Sequence, residues 1–83
     1  MQPAPELPVI DLEERLAHAS ATGRSADGTV TVVVSGFGDV RAVRVDPQAL
    51  PLTEVEALEV AITQAVSAAL DASRRLVEQA MAD

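Results

Sequence analysis

Residues 27–50 read DGTVTVVVSGFGDVRAVRVDPQAL, and the order of residue types in this stretch decides the fold. Asp27-Gly28 is a favoured hairpin dipeptide, because glycine supplies the positive φ that a tight turn requires. From Thr29 to Ser35 the chain alternates cleanly. Val30, Val32 and Val34 point to one side, and Thr29, Thr31 and Ser35 to the other, which is the pattern of a half-buried strand. Gly36-Phe37-Gly38 makes the next turn. A second run, Asp39 to Asp46, places Arg41, Val43 and Val45 on one face and Val40, Ala42 and Arg44 on the other. Pro47 cannot donate to a ladder and ends it.

The pieces on either side complete the architecture. Before the turn, Thr22 to Ser25 forms a brief edge strand. Ahead of that, Val9, Leu12, Leu16 and Ala19 follow helical spacing over Val9 to about Ala21, with Gly23 as the terminator. Pro3, Pro5 and Pro8 exclude a helix over residues 1–8 and mark a frayed arm. After the strands, Thr53-Glu54-Val55-Glu56 is a capping box. From there nothing breaks the helix to about Met81, roughly 28 residues and about 42 Å at 1.5 Å per residue. Leu58, Ile62, Ala65, Ala69, Ala72 and Leu76 form one apolar stripe on it, and Val66, Leu70, Val77 and Met81 an adjacent one. The expected fold is α+β: an α-β-β-β-α subunit with an antiparallel meander between a short and a long helix. Residues 1–8 are read as the arm and 9–83 as one domain.

Bulk numbers limit what such a domain can be. The chain has 83 residues, 48% of them hydrophobic, yet Phe37 is the single aromatic. Chains this short bury only about 60–65% of their unfolded surface, and a core of Ala, Val and Leu is thin. A second copy is the natural source of the missing core, so we expect a homodimer. With no cysteine, disulfides and thiolate metal sites are excluded, which fits a cytoplasmic protein. No apolar run suits a membrane span, and MQPAPELP lacks the shape of a signal peptide. The net charge is −7. It is concentrated in residues 1–20 and 48–83, while residues 21–47 balance Arg24, Arg41 and Arg44 against Asp27, Asp39 and Asp46.

No catalytic constellation emerges. His18 is the only histidine, and a general base needs a nucleophile or an orienting carboxylate fixed beside it. Glu14 stands one turn back, but a histidine on a surface helix is the simpler reading. Glu54, Glu56 and Glu59 could suggest a hard-metal site, yet acids in the first turns of a helix are explained by its dipole. Gly36-Phe37-Gly38 begins like a dinucleotide fingerprint but leads into a strand, so the helix N-terminus that would hold phosphate is absent. Phe37 reads as a packing residue. Arg74 and Arg75 read as solvated helix charges or phosphate contacts. Arg41 and Arg44, on opposite strand faces, allow at most one of them to face solvent beside Arg24.

Taken in order, these residues resemble the YbaB/EbfC family of nucleoid-associated proteins. The resemblance rests on Thr22-Gly23, Ser25, Asp27-Gly28, Val30, Val32, Val34, Gly36, Gly38, Val40, Val43, Val45-Asp46-Pro47, Leu50, Leu58, Ala61, Ala65-Val66 and Ala69-Leu70. It covers about 60 residues, from Thr22 onward. It implies a homodimer built through sheet and long helix, a DNA-binding function of modest sequence preference, nucleoid location, and neither enzymatic activity nor a cofactor. The expected dimer interface is Val30, Val32, Val34, Leu58, Ile62, Ala65, Ala69 and Leu76. The expected DNA contacts are Arg24, Arg41, Arg44, Arg74 and Arg75. Because a net acidic body repels phosphate, contact with double-stranded DNA would have to come from a local arginine cluster. The alternative is a dimeric module of the same fold that binds a protein partner through its acidic helices, with little or no DNA affinity.

Overall fold

The computed structural model describes residues 7–49 and 54–82. Its elements run α1 (Leu7–His18), β1 (Ser20–Arg24), β2 (Val30–Ser35), β3 (Val40–Val45) and α2 (Val55–Ala82). The strands form one antiparallel sheet in the order β1-β2-β3. The α+β meander between a short and a long helix is therefore as the sequence reads. The capping residue Thr53 lies outside the described residues, as do residues 1–6 of the arm.

Two boundaries differ from the sequence reading. Helix α1 already includes Leu7 and Pro8, since proline in a first helical turn removes only an amide that has no helical partner there. At its other end Gly23 does not terminate α1; it sits inside β1. The alternation of β1, with Ala21 and Gly23 inward and Ser20, Thr22 and Arg24 outward, overrides glycine's weak strand preference. Gly23 is there because α2 is so close: a Cβ at this position would run into the backbone of Ala65, Ala68 and Ala69.

That close approach defines the core. Helix α2 lies over β1 and β2 and turns its smallest residues toward them: Ala61, Ala65, Ala69 and Ser73, spaced by four, are its buried positions. Opposite them, Val30, Val32 and Val34 are fully buried. Leu58, Ile62, Val66, Ala72 and Leu76 pack around the edge of this layer, only partly covered. The apolar stripe read from the sequence shares Ala65 and Ala69 with this face, but its other members, Leu58, Ile62, Ala72 and Leu76, pack only at the edge, because the sheet meets the smallest residues of the helix.

Two side chains fasten the helix at the turns. Ser73 Oγ donates to the Ser35 carbonyl at 2.9 Å and the Gly36 carbonyl at 3.2 Å. Gln64 Oε1 accepts from the Ala26 amide at 3.0 Å. The β1–β2 turn organises itself around Asp27 Oδ1, which accepts from the Ser25 hydroxyl, the Thr29 amide and the Thr29 hydroxyl. These bonds hold the Asp27 carboxyl below its usual range, the Thr29 amide contributing most. In the β2–β3 turn, Ser35 Oγ accepts from the Phe37 and Asp39 amides, and Gly38 takes φ +87°, a left-handed conformation.

Candidate nucleic-acid interface

The sheet has two faces, and α2 covers only one. Directly opposed residues of antiparallel strands share a face, so the register assigns each side chain. On the face away from α2, Arg24 pairs with Thr31 and Thr31 with Arg44. Two arginines thus flank one threonine in a single cross-strand row. Strands are about 4.8 Å apart, so the two Cα atoms stand about 10 Å from each other. Both arginines are exposed and Thr31 is half-buried. Thr22, Val33 and Ala42 form the neighbouring row. Arg24 and Arg44 make no ion pair with any described residue.

A bulge explains why alternation misplaces the third strand's faces. Val34 pairs with Val40 and Val33 with Ala42, a register shift that leaves Arg41 as the extra residue. An inserted residue bends the strand and re-aims the side chains beyond it. Val40 therefore joins Val43 and Val45 on the α2 side, opposite Val34, Val32 and Val30, rather than Ala42 and Arg44. Arg44 stands beside Arg24, as one of the pair was expected to. Arg41 goes elsewhere: its guanidinium donates to the Ala17 carbonyl at 2.6 Å, at the end of α1.

The remaining arginine candidates are held differently. Arg74 and Arg75 both bind Asp71, at 2.6 and 3.2 Å, three and four residues away on one exposed helix face. The Asp71 carboxyl lies below its usual range, first through the Arg74 hydrogen bond, then through the charges of Arg74 and Arg75. This pairing offsets one of the two positive charges. The five arginines expected to bind DNA are thus not one cluster: Arg24 and Arg44 share a row, Arg74 and Arg75 share a carboxylate, and Arg41 holds α1.

The expected dimer residues divide as well. Val30, Val32, Val34, Ala65 and Ala69 are wholly covered within the chain itself, because α2 folds its small-residue face onto the valines, so they offer no surface to a partner. Leu58, Ile62 and Leu76 are half-buried and still can. What the sequence missed is the α2-side face of β3. Val40 and Val43 are 57% and 51% exposed, because α2 stops short of the third strand. Phe37, expected to pack, is 55% exposed and stands near Leu70, itself exposed. The bulge is what adds Val40 to this shelf beside Val43 and Val45, and alternation alone cannot give that.

Nothing among the described residues resembles a reaction centre. His18 Nδ1 lies 2.8 Å from the Glu14 backbone carbonyl, not its carboxylate, a contact that only an N–H can make. No group of three or more His, Asp or Glu among the described residues could hold a metal ion. None of the described helices is long and apolar enough to cross a membrane.

Comparison with known proteins adds to this geometry. The model of the YbaB/EbfC DNA-binding family matches residues 9–83. A nucleoid-associated protein of Myxococcus xanthus is 36% identical over 70 residues, covering 84% of this chain and 67% of that protein. One from Pseudomonas fluorescens is 39% identical, covering 81% and 59%; one from Mycolicibacterium vanbaalenii is 38% identical, covering 71% and 54%. The chain thus spans about half to two thirds of the length of these relatives. Among solved structures, the uncharacterized protein HP0035 from Helicobacter pylori superposes with a TM-score of 0.75 at 22% identity, over 89% of this chain and 77% of that one. That last likeness concerns the fold.

Proposed function

Because the chain belongs to the YbaB/EbfC DNA-binding family, we propose that it is a non-enzymatic, nucleoid-associated homodimer that grips duplex DNA with the open face of its sheet. The observation that carries this reading is the Arg24–Thr31–Arg44 row. Its two guanidinium groups meet no acidic partner among the described residues, whereas Arg74 and Arg75 share Asp71. Phosphate contacts supply most nonspecific affinity, and each cation already neutralised by a carboxylate contributes less to it. Asp27, Asp39 and Asp46, the acids of the strand region, lie outside the strands. Asp46, whose amide donates to the Thr29 carbonyl, continues the ladder on the Arg44 side but makes no ion pair with Arg44. A local basic strip therefore survives on an acidic body.

The homodimer rests on the valine shelf. Val40 and Val43 are large apolar side chains left open on the core side of the sheet, beside the half-covered Ile62, Val66 and Leu58 of α2. The long helix of a second copy fits there, extending over β3 the cover that α2 gives β1 and β2. Two copies would also double the arginine rows available to one duplex.

A gel shift with duplex DNA at 50 and 200 mM salt tests the function. The expected result is a complex at low salt, on the order of micromolar or weaker at physiological salt, that dissolves as salt rises. No complex at 50 mM salt would overturn the DNA reading and favour a protein-binding module on the same scaffold.

A further inference from the structure

The carboxyl end of α1 is closed by groups from far along the chain. A helix leaves its last four carbonyls without helical partners, and those of α1 are nearly all supplied. The Arg15 carbonyl accepts from the Ala19 amide at 2.8 Å, and the Leu16 carbonyl from the Gly36 amide at 2.9 Å. Ala17, the next, accepts from Arg41. Two of these three donors come from the β2–β3 turn and the bulge just after it. Leu16 is itself buried and Gly36 lies directly against it, with no room for a Cβ beside the Leu16 backbone. A cation at a helix C-terminus also complements the dipole.

We propose that Arg41 is a positioning residue: from the β3 bulge its guanidinium caps α1 and fixes that helix against the β2–β3 turn, so Arg41 is not among the phosphate contacts. The bulge is what makes this reach possible, since it takes Arg41 out of the alternation that sends Arg44 to the open face. Charge is placed by the same contact. Helix α1 carries Glu13 and Glu14, both exposed, and Arg41 decides where that acidity is held. The proposal goes beyond the DNA-binding reading and rests on it only for the absence of a phosphate contact.

Arg41→Met keeps the length of the side chain and removes the donors, and Arg41→Lys keeps a charged donor. Hydrogen exchange on the intact protein reads the cap through the Gly36 amide, which is protected only while Leu16 stays docked. Arg41→Met is expected to speed exchange at Gly36 and Ala19 at least about fivefold through local opening, with Arg41→Lys restoring part of the protection. Unchanged exchange in Arg41→Met would overturn the cap. In DNA titrations the salt dependence of Arg41→Met is expected to match that of the unmodified protein; a slope reduced by about one would show a lost phosphate contact and overturn the second half of the proposal. The exchange arm stands even if no DNA is bound, so failure of the cap and failure of the DNA reading give different results.

Discussion

Single atoms decide how closely this helix and sheet can meet. Gly23 lets the β1 backbone touch the α2 backbone at Ala65, Ala68 and Ala69. Because backbone cannot yield as a side chain can, Gly23→Ala should cost about 3 kcal/mol by overpacking, read as a lower urea midpoint with unchanged slope. Ser73→Ala removes one hydroxyl that serves two turn carbonyls; a loss of about 1 kcal/mol is expected. Asp27 gives an acid-limb prediction. Its pKa is depressed in the folded chain, chiefly by the Thr29 amide, so its contribution is complete above the ordinary carboxylate range. It is lost as pH falls through the folded value. Asp27→Asn should therefore flatten the acid side of a stability–pH curve, and an unaltered curve would deny the turn that role.

At the scale of elements, β3 is the strand whose surroundings set its role. Val43 faces the core side yet is half open, so Val43→Asp should leave the subunit folded and prevent the proposed homodimer, as sedimentation equilibrium at micromolar concentration would show. An unmodified chain that sediments as a stable monomer would refute the interface altogether. The same strand marks the limit of what the sequence makes legible. Strand β2 could be read directly, since Val30, Val32 and Val34 alternate without interruption and all three are buried. The faces of β3 could not, because one inserted residue at Arg41 reverses the assignment of Val40, and a bulge has no signature in the pattern V-R-A-V-R-V. Helix α2 was legible in extent but not in orientation. Its burial follows Ala61, Ala65, Ala69 and Ser73, whose small size matters only once Gly23 lies beneath them. Of the arginines, Arg24 and Arg44 were visible as types, while their juxtaposition across Thr31 required the register.

The whole molecule carries a net charge of −7 and yet belongs to a DNA-binding family, so the proposed affinity for DNA has to be local. Steering by the overall field works against approach to a duplex, which predicts slow and salt-sensitive association rather than none. Everything in the proposed function turns on the open sheet face, not the long helix, meeting the phosphates. The decisive measurement is the salt dependence of binding to one labelled duplex, taken between 50 and 200 mM for the unmodified protein and two double variants. Arg24→Ala with Arg44→Ala should abolish most binding and lower the slope by about one per lost phosphate contact, while Arg74→Ala with Arg75→Ala should leave both affinity and slope close to the original. The reverse outcome, with binding lost only when Arg74 and Arg75 are removed, would contradict the sheet-face contact and assign it to the helix.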